Sequence, residues 1–293
     1  MTRFGRSLLE RWALDPRITY LNHGTVGAPP RAVLAAQQAI RDEIERQPAR
    51  YLLRELADVK QFDLRTPPRM RVAAAQVAEF VGARAEDLVF VNNASDGVNA
   101  VLGSIAFQPG DEILLTDHSY GAVNRTAQHF ASRTGAIVRI VELPFPGTTP
   151  AAVTEAIAAA LTPRTRLLVV DHICSGSSLI LPVRDIVARA HAAGVPVLVD
   201  GAHAPGALAL DIPSIGADWY VGNLHKWAMS PRSCGILWAD PKVQAELHPT
   251  VISWGYGLGL AHEFDLTGTR DPSPWLAAPA GIEFMRELGL EEM

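Results

Sequence analysis

Two cysteines, Cys174 and Cys234, are all that the 293 residues contain. Two thiols build neither a disulfide framework nor a four-cysteine zinc site, which excludes a small secreted scaffold and a zinc ribbon. Aromatics are sparse at 7%, and neither sign of charge dominates: 26 Lys and Arg against 31 Asp and Glu leave a net of −5. Such a balance offers no basic footprint to nucleic acid or to an anionic membrane. No run approaches the roughly 18 apolar residues of a membrane span. The start, Met1-Thr-Arg-Phe-Gly-Arg6, lacks the apolar stretch of a secretory leader. Repeats and low-complexity linkers are absent as well. The reading that remains is a soluble, cytoplasmic protein with a sizeable core and no metal site.

What is there is an alternation. Leu88–Val91, Glu112–Leu115, Ile137–Val141, Leu167–Val170 and Val195–Val199 are short apolar runs that read as strands. Between them lie helical patterns. Val98, Val101, Leu102 and Ile105 fall at i, i+3, i+4 and i+7, one face of a helix. Thr149-Pro150 is an N-cap followed by a proline at the first helical position, opening a helix with Val153, Ile157 and Leu161 inward. Pro182–Ala193 is a third helix, stopped by Gly194. Near-continuous apolar strands separated by helices predict a mainly parallel sheet flanked by helices, an α/β fold. A further helix is predicted over residues 29–46 and a last one near Pro279–Leu288. Tyr20–Ala28 is too glycine-rich for a regular element, and the pattern loosens into loops after about residue 250.

Open parallel sheets place their sites at the carboxyl ends of strands, and three features fall there. Asp200 ends an apolar run and precedes Gly201-Ala-His203; position alone leaves a binding carboxylate and a capping aspartate equally open. Lys226 sits in Trp219-Tyr-Val-Gly-Asn-Leu-His-Lys-Trp227. Most lysines are solvated surface charges, but one flanked by apolar and aromatic residues is partly desolvated, which lowers its pKa and suits Schiff-base chemistry. Asn92-Asn-Ala-Ser-Asp-Gly97 is a strand-to-helix turn. Its free backbone amides and helix dipole make an anion site, with a plain N-cap as the alternative. A reactive lysine, a strand-end acid and a phosphate cradle are together the parts that a pyridoxal phosphate site requires.

On Tyr20–Gly24, Asn92–Gly97, Thr116–Ala122, Val197–His203, Gly222–Trp227 and Thr267–Pro272, in that order, the chain resembles the class V aminotransferases, fold-type I enzymes dependent on pyridoxal 5'-phosphate. The branch it is most similar to is isopenicillin N epimerase-like, beside the cysteine desulfurases. The resemblance implies an enzyme acting on an amino acid or an amino-acid-derived substrate, with a desulfurase, a C–S lyase or a non-catalytic homologue as alternatives. It implies that Lys226 links covalently to the cofactor and moves protons, that Asp200 pairs with the pyridine nitrogen, and that His203 lies near the ring hydroxyl. Tyr120, favoured over His118, stacks on the ring, because Ser119 breaks the desulfurase pattern of paired histidines. Ala94, Ser95, Asn223 and His225 bind phosphate, Gly268 and Thr269 reach the phosphate of the neighbouring subunit of a homodimer, and Asn22 and His23 line the substrate side.

The implied organisation is an active-site segment over 1–28, a large cofactor-binding domain over 29–255, and a dimer-contact loop with the start of a C-terminal region over 256–293. The family's small C-terminal domain, of about 100 residues, is expected to be missing, together with its carboxylate-binding arginine, leaving an exposed apolar face. Other residues read plainly: Cys174 and Cys234 as small buried side chains, His191 as surface, and Arg65, Arg69 and Arg71 as a solvated basic patch. Ser175, after a strand end, is a lesser candidate for the cofactor site.

Overall fold

Runs such as Leu167–Val170 are apolar at every position because both of their faces are covered. A computed structural model describes residues 5–57 and 66–289. In it Leu167 and Val169 enter one core cluster and Leu168 and Val170 the other, as the two-residue period of a strand requires. The seven strands are β1 (Leu88–Val91), β2 (Glu112–Thr116), β3 (Ile137–Val141), β4 (Thr165–Asp171), β5 (Val197–Gly201), β6 (Trp219–Asn223) and β7 (Gly235–Ala239). Their order across the sheet is β1-β7-β6-β5-β4-β2-β3. Helices Arg31–Arg46, Arg69–Phe80, Pro150–Ala160, Val183–Ala192 and Ala278–Leu288 cover one face, and Ala94–Ser104 and Gly121–Thr134 cover the other. Among the described residues, no helix is long and apolar enough to cross a membrane.

The structure departs from the sequence reading in four local respects. The run Val195–Val199 forms a strand only from Val197, which continues to Gly201, so Asp200 lies inside the strand. Proline has no N–H for a ladder, and Pro196 contributes only its carbonyl, accepting from Leu168 at 3.0 Å. Strand β7 was not anticipated, and it runs antiparallel to both β1 and β6. The glycine-rich Tyr20–Ala28 stretch contains one helical turn, His23–Val26, capped by Asn22, whose Oδ1 accepts the Thr25 amide at 3.1 Å. After residue 250 the loops are interrupted by short helices at Leu260–Asp265 and Ser273–Leu276.

Two polar expectations also change. Arg65 lies outside the described residues, while Arg69 and Arg71 are engaged. Arg69 bridges Glu43 and Glu55, and Arg71 Nε reaches the buried Asp265 at 2.7 Å, which pins helix Arg69–Phe80 to helix Leu260–Asp265. His191 is tied by Nε2 to Asp218 at 2.8 Å. The exposed apolar side chains include Leu21, Trp254 and Tyr256.

Where β7 begins, the sheet meets the start of helix Ala94–Ser104 at a distance only glycine permits. A Cβ on Gly235 would stand 2.7 Å from Asn93 Cα, an approach that backbone cannot relieve cheaply. Gly235→Ala should therefore cost about 1–3 kcal/mol, as overpacking does, read as a lowered urea midpoint with unchanged slope.

Candidate functional site

Because β7 is antiparallel, its start joins the carboxyl ends of β1, β4, β5 and β6 along one edge of the sheet. A cavity of about 300 Å³ opens there, the lower end of the range for small-molecule sites. From β1 and the helix after it come Asn93, Ala94 and Ser95; from β4, Asp171 and Ser175; from β5, Asp200, Ala202 and His203; from β6, Asn223, His225 and Lys226. Tyr120, 47% exposed, and Thr25 complete the rim. A roomier groove of about 620 Å³ lies elsewhere, but its charged side chains, Arg166, Lys242 and Glu246, are all exposed to solvent.

Lys226 is only 9% exposed. It sits in the β6–β7 connection, where Leu224 and His225 both donate their amides to the Cys234 carbonyl, at 3.0 and 3.2 Å. Burial lowers its pKa, while the negative charges of Asp200 and Asp171 oppose the shift. Its Nζ lies 3.1 Å from His203 Nε2. His203 is in turn held down to about 4 by burial and by the Lys226 charge.

Asp200 is 3% exposed, and one of its oxygens accepts the Ala202 amide at 3.0 Å. Burial pushes its carboxyl up, against that hydrogen bond and the nearby Lys226. Its register partner across β4 and β5 is Asp171, also buried. Burial, then the Asp200 charge, pushes Asp171 up to about 8, opposed by hydrogen bonds from Ser119 and the Tyr120 backbone. Asp171 was not anticipated from the sequence. The signal was present, since Leu167–Val170 runs into an aspartate just as Val197–Val199 does.

The helix start is less open than the sequence suggested. The Ala94 amide donates to Asn223 Oδ1 at 2.8 Å, and the Asp96 amide donates to Asn93 Oδ1 at 3.0 Å. Two of the amides expected to be free are therefore engaged, because Asn93 and Asn223 are within reach of them. His225 donates from Nδ1 to the Cys234 carbonyl at 2.9 Å, leaving Nε2 as its uncommitted ring nitrogen.

Of the residues singled out in the sequence, Ala94, Ser95, Tyr120, Asp200, His203, Asn223, His225 and Lys226 converge on this cavity. His118 does not line it; its ring packs on Phe145 and hydrogen-bonds Ser177 at 2.8 Å. Neither Asn22 nor His23 lines it: Asn22 is occupied in capping, and the His23 ring lies tilted against Trp227, centroids 6.0 Å apart. Gly268 and Thr269 line a separate surface notch beside Leu52 and Trp275. Thr25, Asn93, Ala202 and Asp171 join the lining without having been anticipated.

The raised Asp171 carboxyl has a sign that can be worked out. A folded pKa near 8 against an unfolded value near 3.8 means that the folded chain holds a proton the unfolded chain gives up. Stability from this group is full below about pH 4 and is lost as pH rises toward 8. Asp171→Asn should therefore flatten the fall in the urea midpoint between pH 5 and pH 8 in the cofactor-free protein.

Known proteins share both the sequence and the fold of this chain. The aminotransferase class V model matches residues 21–293. Isopenicillin N epimerase of Streptomyces clavuligerus is 35% identical, over 95% of this chain and 72% of that protein. A probable chloroplastic L-cysteine desulfhydrase of Arabidopsis thaliana is 32% identical, over 92% of this chain and 59% of that protein. The solved cysteine desulfurase of Thermococcus onnurineus NA1 shares the fold with a TM-score of 0.79, at 21% identity, over 100% of this chain and 73% of that one. A family match over nearly the whole sequence, a relative more than a third identical, and one shared sheet lead to a single assignment: the chain belongs to the class V aminotransferase family.

Proposed function

We propose that this chain is a pyridoxal phosphate enzyme working at the α-carbon of an amino acid or an amino-acid-derived substrate, in the manner of the isopenicillin N epimerases. The observation that carries the reading is one buried amine, Lys226 Nζ, set 3.1 Å from an imidazole and beside a buried carboxylate. The residues present fit the cofactor. Lys226 supplies an amine whose charged form is disfavoured by burial. Asp200 supplies a carboxylate that faces the cavity with one oxygen already anchored. A helix start with the Ser95 hydroxyl supplies the place for an anion.

When bound, pyridoxal phosphate serves as the electron sink for the pair left at the substrate α-carbon. Every other task falls to the chain. Lys226 Nζ would hold the cofactor covalently and would move the proton at the substrate α-carbon. His203 Nε2, in hydrogen-bond reach, would orient the Nζ lone pair for that transfer. Asp200, lining the cavity, would hold a proton on the pyridine nitrogen. Tyr120, on the cavity rim, would cover one face of the ring. Since Asn223 is engaged with the Ala94 amide, the phosphate falls to Ser95, the helix dipole and His225 Nε2, and Asn223 acts by orienting the helix start. Asn22 and His23 lie on the substrate side only through the turn they shape. Gly268 and Thr269 lie outside this cavity; we assign them to the phosphate of the neighbouring subunit in a homodimer.

A lyase would use the same proton removal and differ in what leaves the next carbon. A desulfurase needs a thiol nucleophile, and neither cysteine is suited to that role. Cys174 is 1% exposed and Cys234 fully buried; burial pushes the Cys174 thiol up to about 12 and raises that of Cys234. Neither of these two thiols would therefore serve as a desulfurase nucleophile.

The test begins with pyridoxal phosphate and borohydride, followed by peptide mass mapping. Covalent label is expected on the Lys226 peptide and nowhere else. Lys226→Ala should keep the fold and lose the label; label retained in that variant would refute the assignment. Exchange of the α-proton into deuterated water, with inversion, is expected for an amino-acid substrate, whereas sulfide release from cysteine would favour a lyase. Label without any turnover would favour a non-catalytic homologue. Asp200→Asn should keep the label and lose at least about a hundredfold in exchange rate, the usual scale of a lost proton-transfer partner.

A further inference from the structure

His203 stands between two nitrogen atoms on the same loop. The Trp227 indole N–H donates to His203 Nδ1 at 3.4 Å, and His203 Nε2 faces Lys226 Nζ at 3.1 Å. An indole nitrogen can only donate. Nδ1 therefore keeps its lone pair, and the single proton of the neutral imidazole sits on Nε2, facing the amine. An imidazolium would set an N–H against the indole N–H. An ammonium at Lys226 has no lone pair with which to accept from Nε2–H. Both contacts are hydrogen bonds in only one arrangement: Trp227 donates to His203, and His203 donates to an uncharged Lys226.

The packing holds these rings in place. A Cβ on Gly24 would stand 3.1 Å from both His203 Nδ1 and Trp227 Cζ2, so the Asn22-His-Gly24 turn closes directly over the pair. On the far side, a Cβ on Gly206 would stand 2.5 Å from the Trp227 carbonyl carbon. His23 packs against the Trp227 ring. The charges facing Lys226 act in opposition: Asp200 on β5 and Asp171 on β4 favour the ammonium, whereas burial favours the free amine. His225, also desolvated, is its neighbour in the chain.

We propose that Trp227 is a positioning residue that fixes the tautomer of His203 and thereby keeps Lys226 an uncharged amine, ready to attack the carbonyl of an aldehyde. The proposal rests on Lys226 being the reacting amine, but it concerns the protein before any cofactor arrives. Without the indole, His203 is free to carry its proton on Nδ1 and to accept at Nε2 from an ammonium. Lys226 would then hold its proton to higher pH.

The test uses the full cofactor-free chain. Acetic anhydride labelling across a pH series, read by mass on the Lys226 peptide, gives the midpoint of the amine. Long-range nitrogen–proton NMR of the histidine rings gives the tautomer. Trp227→Phe keeps the aromatic bulk and should raise the Lys226 midpoint by about one pH unit, a tenfold smaller free-amine fraction at neutral pH, with the His203 proton moving to Nδ1. An unchanged midpoint and tautomer in a folded variant would overturn the proposal. So would an Nδ1–H tautomer in the unsubstituted chain, a result that stands even if Trp227→Phe does not fold. Failure of the borohydride label on Lys226 would instead overturn the functional reading and leave the tautomer result untouched, so the two fail separately.

Discussion

Desolvation of three ionisable groups at one sheet edge is the constraint on which the rest of the site depends. Lys226, Asp200 and Asp171 are all nearly inaccessible to water, and each has its charged form penalised by burial. An amine and a carboxylate buried together can neutralise one another, but a second carboxylate in register with the first cannot be neutralised by the same amine. Burial therefore shifts the acids up and the amine down, each toward its uncharged form, against their mutual attraction. Before any ligand enters, the site thus sets an amine with a lowered pKa beside two carboxyls with raised ones.

The shape of the sheet produces that proximity. Asp171 and Asp200 face the same side because their strands are parallel and in register, so their side chains repeat in step. Asn223 ends β6 and ties the start of the neighbouring helix through the Ala94 amide, across β7. Gly235 lets two backbone segments close at this end of the sheet where a side chain would hold them apart, and Gly24 leaves room for the His203 and Trp227 rings. The glycines of the amino-terminal turn therefore act on the same edge as residues some 200 positions later.

Much of this was legible in the residues. Apolar runs marked β1 to β5, since strands covered on both faces carry few polar side chains, and Asp200 and Lys226 stood out as charges in apolar surroundings. The direction of β7 was not legible, because a run such as Ile236-Leu-Trp238 looks the same read up or down the sheet. Asp171 was missed because the strand was ended one residue early, at the last apolar position. The amides of the Asn93–Asp96 turn looked free because the Asn223 side chain that takes one of them comes from 129 residues away. Arg71 looked solvated for the same reason: its partner Asp265 is 194 residues distant. Long-range pairing of polar groups has no local periodicity to announce it.

The antiparallel turn that carries Lys226 has a further consequence. Its two ends belong to β6 and β7, interior strands with neighbours on both sides, and the Cys234 carbonyl ties the loop across its neck. Such a loop cannot fray independently in the way a surface lid does, since opening it would mean parting the middle of the sheet. Lys226 is therefore anchored to the interior of the sheet rather than to its periphery. Local opening of the exposed Trp254 loop or of the β3 edge would leave the position of Lys226 in the sheet unchanged.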